Sequence, residues 1–354
     1  MLQHEISKQN KTKMFNPNGV GNTSGNIFGL PYTVEESDVV IIPVPWDVTV
    51  SRGEGADQGP KNVFYESFQI DLFDEVVADP WKAGIAMESI PEDIINLNHK
   101  LRKKARKYIK HYEKTGGDLL PAKYIKLRQE INDGCYKLFE SITSKCRNYL
   151  ADNKLPVILG GDHSTSLGLL KALSEIHNEF GVLQIDAHAD LRPAFKGLTH
   201  SHASIMFNAL EYSQISKLVQ VGIRDFCSQE WNLINDNGSR LRAFTSRELQ
   251  NQLSDGITWK NICDEIIRAL PEKVYISFDV DGLEPAYCQS TGTPVPGGLS
   301  YNQAIYLIEK LVERGKTIIG FDIVETGPHP LDGVVSCRLL YRIIALMLRA
   351  NKRL

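Results

Sequence analysis

Six short apolar runs, rich in β-branched residues and separated by stretches of helical periodicity, constrain this chain more than any other feature. They are Val39–Val44, Pro156–Leu159, Val182–Asp186, Leu218–Val221, Val274–Phe278 and Thr317–Phe321. A run that is apolar at consecutive positions, rather than at alternate ones, is what a strand buried on both faces requires. Helical patterns fall between the runs, over Lys61–Asp71, Thr165–His177, Arg247–Gln252, Trp259–Leu270, Asn302–Arg314 and Val335–Arg349. Alternating strands and helices bury both strand faces when the strands lie parallel and the helices cover the sheet on either side. The expectation is therefore an α/β fold, a single-domain, three-layer α/β/α arrangement with a mostly parallel sheet. No internal repeat and no linker divides it, so residues 31–354 are expected to form one domain.

Composition narrows the function classes. A formal net charge of −3 over 354 residues offers no footprint for nucleic acid or an anionic membrane surface. No apolar run approaches the ~18 residues of a membrane span. The opening MLQHEISKQNKTKMF lacks the apolar core of a secretory signal, and residues 1–30, polar and rich in Asn and Gly, are expected to form a flexible arm. Cys135, Cys146, Cys227, Cys263, Cys288 and Cys337 are widely spaced and form no CxxC, which fits free thiols in a reducing cytoplasm. Residues 97–149 depart from the pattern. This charged stretch, with the basic run HKLRKKARKYIKHYEK, is expected to be a solvated helical insertion on the surface or an oligomer contact.

The chemistry concentrates in four stretches that each follow an apolar run: Leu159–Ser164 (LGGDHS), Asp186–Asp190 (DAHAD), Ser277–Gly282 (SFDVDG) and Asp322–Glu325 (DIVE). In an open α/β sheet the carboxyl ends of the strands form the ligand crevice, so four strands should deliver these residues to one place. Extended chain puts residues i, i+2 and i+4 on one side. Asp186, His188 and Asp190 should then converge, as should Asp279 and Asp281, with His163 beside them. A lone Asp-x-Asp is more often a turn or a cap, and GGDHS alone could be a glycine turn with a capping serine. Together the six groups carry a formal charge of about −4 with neutral imidazoles, which burial would not tolerate without cations. Two divalent metal ions balance it. An oxygen and imidazole donor set without thiolate suits Mn2+, with nickel (Ni2+), cobalt or zinc as alternatives.

GGDHS, DAHAD, SFDVDGLEP and DIVE, in this order and spacing, resemble the motifs of the ureohydrolase family of arginases, agmatinases and their relatives. The resemblance runs from Val39 to the C-terminal helix and is weakest over residues 97–149. It implies an arginase-like fold, a binuclear manganese centre and hydrolysis of a guanidino compound to urea plus an amine. By position, His163, Asp186, Asp190 and Asp279 would hold one metal, and Asp186, His188, Asp279 and Asp281 the other. Asp190 would also orient the attacking water and take its proton. His202 is the expected proton shuttle, with His200 as its rival, and Glu325 would pair with the guanidinium and aim its carbon.

The same resemblance leaves the substrate open. Leu191–Thr199 lacks the Asn, Thr and Ser pattern with which arginases recognise the amino acid end of arginine. Ser201-His202-Ala203, Gly222-Ile223-Arg224 and Thr291–Pro294 look more like the agmatinase branch, which converts agmatine to putrescine and urea. Pro45–Ser51 (PWDVTVS) is similar to a segment of relatives that hydrolyse free guanidine, some of them with nickel. It would place Trp46 and Thr49 at the pocket mouth, unless Trp46 only packs the loop. Guanidine, guanidinobutyrate and arginine are therefore alternatives to agmatine, and a non-catalytic metal- or partner-binding role is the alternative of a different class. The family also implies a homo-oligomer, a trimer or hexamer.

Overall fold

The computed structural model describes residues 2–117 and 120–354, and for Leu2 and Gln3 the backbone only. Among these, eight strands form one sheet: β1 (Val39–Val44), β2 (Ile85–Met87), β3 (Leu155–Gly160), β4 (Phe180–Ile185), β5 (Ile215–Ile223), β6 (Leu241–Thr245), β7 (Lys273–Asp279) and β8 (Thr317–Val324). Their order across the sheet is β2-β1-β3-β8-β7-β4-β5-β6, and every pairing is parallel. All six expected strands are present. The two edge strands are additional: β2 has three residues and β6 five, too short for an apolar run to stand out.

Alternation along the buried strands divides the core in two. Val39, Ile41, Val157, Leu159, Leu183, Ile185, Val274, Ile276 and Phe278 face a cluster that includes Ile262, Ile266, Leu307, Leu340 and Ile344. Those five belong to α9 (Trp259–Arg268), α10 (Tyr301–Glu313) and α11 (Pro330–Ala350). Ile42, Val44, Ile158, Val182 and Tyr275 face the opposite cluster, with Leu101, Cys135, Leu138, Ile142, Leu169 and Leu173. These come from α3 (Glu92–Thr115), α4 (Ala122–Ala151) and α5 (Leu167–Ile176). The remaining helices are α1 (Leu2–Met14), α2 (Gly59–Glu66), α6 (Ile205–Ala209), α7 (Ser228–Asp236) and α8 (Ser246–Ser254).

Two expectations are corrected. Within residues 97–149, α3 runs to Thr115 and α4 starts at Ala122, but these helices are not an appended surface insertion. The inner faces of α3 and α4, including Leu101, Ala105, Tyr108, Ile131, Cys135 and Leu138, are buried and form part of the layer that covers the sheet. Nor is the start of the chain a loose arm. Lys8 pairs with Asp38 at 2.9 Å, Lys11 with Glu36 at 2.7 Å, and Thr12 bonds the Tyr32 hydroxyl at 2.9 Å. Polar composition concealed α1 because its anchors are ion pairs rather than an apolar stripe.

Burial alone would raise the Glu36 carboxyl, but the contacts with Lys11, Ser7 and the Thr33 amide outweigh it and hold its pKa at about 2. A carboxyl depressed in the folded state stabilises above its unfolded pKa, ordinarily 4.5, and that contribution is lost as pH falls through the folded value. Docking of α1 should therefore persist above pH ~4.5 and fail as pH falls toward ~2, and Glu36→Gln should release it at neutral pH. Amide exchange is the check: α1 loses protection in Glu36→Gln while β1 keeps it. Unchanged exchange in α1 would show that these ion pairs do not anchor it.

Candidate active site

The sheet order sets the site. The four chemical stretches follow β3, β8, β7 and β4, which are adjacent in the middle of the sheet. Register aligns their ends: Leu159 pairs with Ile323, Asp279 with Val324, and Ile185 with Phe278. Four successive strands therefore release their polar residues at one level, on one edge of the sheet.

The convergence expected from extended geometry is reached by a different local path. β4 ends at Ile185, and Asp190 has a left-handed backbone with φ 53°. Its carbonyl accepts the amides of Met206 and Phe207 at the start of α6, which holds the turn. After β7, Asp279 caps a single 3-10 turn by accepting the Asp281 amide at 2.8 Å. Glu325 is also left-handed, with φ 61°. Left-handed backbone at a non-glycine residue is uncommon and clusters at functional sites. Gly161 is required sterically, because a Cβ there would lie 1.9 Å from the Trp46 carbonyl oxygen.

Two groups of donors result. His163, Asp186 and Asp190 can each offer one ligand atom within 4.8 Å of the others, and so can Asp186, His188 and Asp281. Asp186 belongs to both. His163 Nδ1 lies 2.9 Å from Asp190, 3.1 Å from Asp186 and 3.5 Å from Asp279. His188 Nδ1 lies 3.0 Å from Asp281 and 3.6 Å from Asp186. Two carboxylates at ~4 Å repel by about 4 kcal/mol at an effective dielectric of ~20, so four buried ones cannot all stay ionised unaided. Burial, with Asp281 and Asp186 nearby, pushes Asp279 well above the ordinary carboxylate range. Burial works against a charged His188, but Asp281 and Asp186 outweigh it and raise its pKa to about 12. The cluster demands positive charge.

The hydrogen bonds around His163 test whether that charge can be a metal. Its Nε2 lies 2.8 Å from the Ser277 hydroxyl, which donates to Asp322 at 2.9 Å. Asp322 also accepts from the Tyr275 hydroxyl at 2.6 Å and the Phe278 amide at 3.1 Å. The serine proton being committed to Asp322, Nε2 must donate to the serine. In the neutral ring this leaves a bare lone pair on Nδ1. That atom is buried, makes no well-directed hydrogen bond among the described residues and faces three carboxylates. Lone pair against lone pair is repulsive unless a cation stands between them, so the donor set fits a divalent metal. Gln184 supports the second group, donating to Asp186 at 2.8 Å and to the His188 carbonyl at 3.2 Å. Gln220 on β5 holds it in turn at 2.6 Å.

A cleft of about 170 Å³ opens over these groups, lined by His188, Asp190, Asp279, Asp281, His202 and Glu325, with Ser51, Arg192, Phe195, Asp225, Glu230 and Thr293 farther along. Glu325 is buried; its Oε1 accepts the His163 amide at 3.0 Å and lies 3.4 Å from His202 Nδ1. Among the described residues His202 Nε2 is buried without a hydrogen-bond partner. Burial disfavours a charged His202, but Glu325 reverses this and raises its pKa.

Three expected site residues, Trp46 and Thr49 at the pocket mouth and His200 as the rival shuttle, lie elsewhere. Trp46 is fully buried in the apolar cluster beneath the loop and does not reach the cleft. His200 packs its ring against Tyr136 and Phe139 of α4, at 5.9 and 5.4 Å, and is also absent from the lining. Thr49 is buried too. Its hydroxyl accepts the His202 amide at 3.0 Å and donates to Asp162 at 3.2 Å, so it holds a cleft residue rather than a substrate.

The arginase family profile matches residues 37–348, most of the chain. The chain belongs to the arginase family. Its relatives include the N(1)-aminopropylagmatine ureohydrolase of Thermus thermophilus, 33% identical over 322 residues, or 89% of this chain and 92% of that one. Guanidinobutyrase of Pseudomonas aeruginosa is 26% identical over 90% of this chain and 88% of its own. The fold is shared with the agmatine ureohydrolase of Thermoplasma volcanium, with TM-score 0.69, 22% identity and coverage of 97% and 99%. As an arginase-family ureohydrolase, the protein cleaves carbon–nitrogen bonds of linear amidines and releases urea from a guanidino compound. Arginase-family enzymes depend on a binuclear metal centre, and the two donor groups described above are where this chain can hold one.

Partners that orient a metal-binding histidine typically contribute 10–100-fold to metal affinity. Asp322→Asn and Ser277→Ala should each weaken metal binding by about that factor while the sheet stays folded. Competition with a chelator measures it. Undiminished affinity in both variants would remove the proposed orientation of His163.

Proposed function

We propose that this enzyme hydrolyses agmatine-type substrates, guanidino compounds with a cationic tail and no carboxylate, agmatine itself yielding putrescine and urea. The observation that carries the reading is the charge along the cleft. Beyond the metal-binding groups its described lining includes the acids Asp225, Glu230 and Glu325, against two cations, Arg192 and the His202 that Glu325 keeps protonated. Arg192 is already engaged, its guanidinium 4.9 Å over the Phe195 ring and 3.5 Å from Glu230. A substrate carboxylate would meet mainly like charge, which disfavours arginine and guanidinobutyrate; an ammonium tail would not. The names of the Thermus and Thermoplasma relatives point the same way. Free guanidine is the second reading, supported by the small volume of the cleft; Trp46 and Thr49 no longer support it.

His163, Asp186, Asp190 and Asp279 would hold one divalent ion, and Asp186, His188, Asp279 and Asp281 the other. Manganese fits the oxygen and imidazole donors, and nickel is the alternative. When bound, the ions supply the Lewis acidity that makes water nucleophilic near neutral pH. The side chains do the rest. Glu325 accepts guanidinium N–H groups and fixes the carbon within the cleft. Asp190, reaching both His163 and the cleft, takes a proton from the attacking water. His202, kept protonated by Glu325, gives its proton to the departing amine. Free cysteines, five of the six buried, support a reducing cytoplasm, and family likeness supports a homo-oligomeric trimer or hexamer.

Urea release from agmatine, guanidine, arginine and guanidinobutyrate, with manganese or nickel, tests the substrate. Agmatine should have the highest kcat/KM. Preference for a carboxylate-tailed compound would overturn the reading, and so would absence of urea from all four. His202→Asn should keep its metal and lose about 10²–10⁴-fold in kcat; full turnover would remove its role.

A further inference from the structure

The basic run of α3 has no part in the chemistry above. Lys100, Lys103, Lys107 and Lys110 lie on the solvent side of the helix. Arg102 does not: it is only 6% exposed. Its Nη1 donates to two main-chain carbonyls, Val48 at 3.0 Å and Val50 at 2.8 Å, and its Nη2 to Glu54 at 3.0 Å. One turn earlier, Asn98 accepts the Asp47 amide at 2.9 Å and donates to the Asp47 carboxylate at 3.1 Å and to Asp57 at 3.2 Å. Asp47 then accepts the Gly55 amide at 3.1 Å. Every one of these partners lies in the loop between β1 and α2.

The other side of that loop faces the reaction. Thr49, between the two carbonyls that Arg102 grips, accepts the His202 amide and donates to Asp162. Ser51 lines the cleft. Gly53 is left-handed at φ 55°, and a Cβ there would lie 2.2 Å from the Gly292 carbonyl oxygen, next to the cleft residue Thr293. An irregular loop has no ladder to satisfy its carbonyls. Arginine's planar fork of N–H donors can take two carbonyls and a carboxylate at once, whereas lysine has a single nitrogen.

We propose that Arg102 and Asn98 are positioning residues for the reaction: from α3 they fix the main chain of the β1–α2 loop, and so hold Thr49 beneath His202 and Ser51 at the cleft. The proposal rests on the reading of His202 as proton donor. Neither residue is among those lining the cleft. Docking of α3 itself does not need them, since Ile94, Leu101, Ala105, Tyr108 and Ile109 already bury its apolar face.

The test compares Arg102→Ala, Arg102→Lys and Asn98→Ala with Lys107→Ala, a change on the solvent side of the same helix. Steady-state kinetics, metal content and amide exchange are measured on the metal-loaded protein. Arg102→Ala should lower kcat by about 10–100-fold, the scale of an ångström of misplacement, with KM and metal content little changed. Exchange of the His202 amide and of residues 48–53 should rise while β4 and β7 stay protected. Arg102→Lys should recover part of both effects, and Lys107→Ala should match the unmodified chain. Two results would overturn the proposal: a His202 amide that stays protected in Arg102→Ala and Asn98→Ala, or a loss of protection spread evenly over the fold. If Arg102→Ala does not fold, Arg102→Lys and Asn98→Ala carry the same comparison. Exchange requires no turnover. If the unmodified enzyme releases no urea while the His202 amide still responds to Arg102, the substrate reading fails and the loop clamp stands.

Discussion

Four carboxylates and two imidazoles cannot share a dry crevice without positive charge between them, and the middle of this structure is organised around that constraint. His163 states it most sharply. Ser277 and Asp322 commit its Nε2 as a donor, so the lone pair of Nδ1 is aimed at Asp186, Asp190 and Asp279. A protein that wanted only stability would fill such a site with apolar side chains, because desolvated charge is costly even when paired. Keeping the charge makes sense for a reaction that needs a strong Lewis acid and an ordered carboxylate for a guanidinium.

The sheet makes the constraint affordable. β3, β8, β7 and β4 are neighbours although they are far apart in sequence, and both faces of the sheet are covered by helices. Rigid strands end at one level and present their donors together. The left-handed backbones at Asp190 and Glu325 then turn two of the carboxylates into place. Strain of this kind persists only where surrounding hydrogen bonds over-determine it. The Glu325 amide bonds the Gly161 carbonyl at 2.8 Å, and the Asp190 carbonyl receives two amides of α6.

Much of this was legible in the chain. Continuous apolar runs announced the strands, and acids and histidines directly after them announced the crevice. What stayed hidden depended on which strands are neighbours. Ser277 and Asp322 act together because β7 lies beside β8, and Gln184 with Gln220 because β4 lies beside β5; no periodicity within one segment reveals either pair. Loop side chains were misplaced for a related reason. Trp46 and His200 carry suitable chemistry, but packing turns both away from the cleft. Arg102 was lost in a charged run because burial of one guanidinium among exposed lysines leaves no compositional mark.

We propose that two divalent ions sit between these side chains and share Asp186, which belongs to both donor groups. Metal content of the purified, manganese-loaded protein measures it directly. Two ions per chain are expected, and loss of both in Asp186→Ala with the fold intact, because that carboxylate belongs to both donor groups. Two ions retained in Asp186→Ala, or none bound by the unmodified chain, would contradict it.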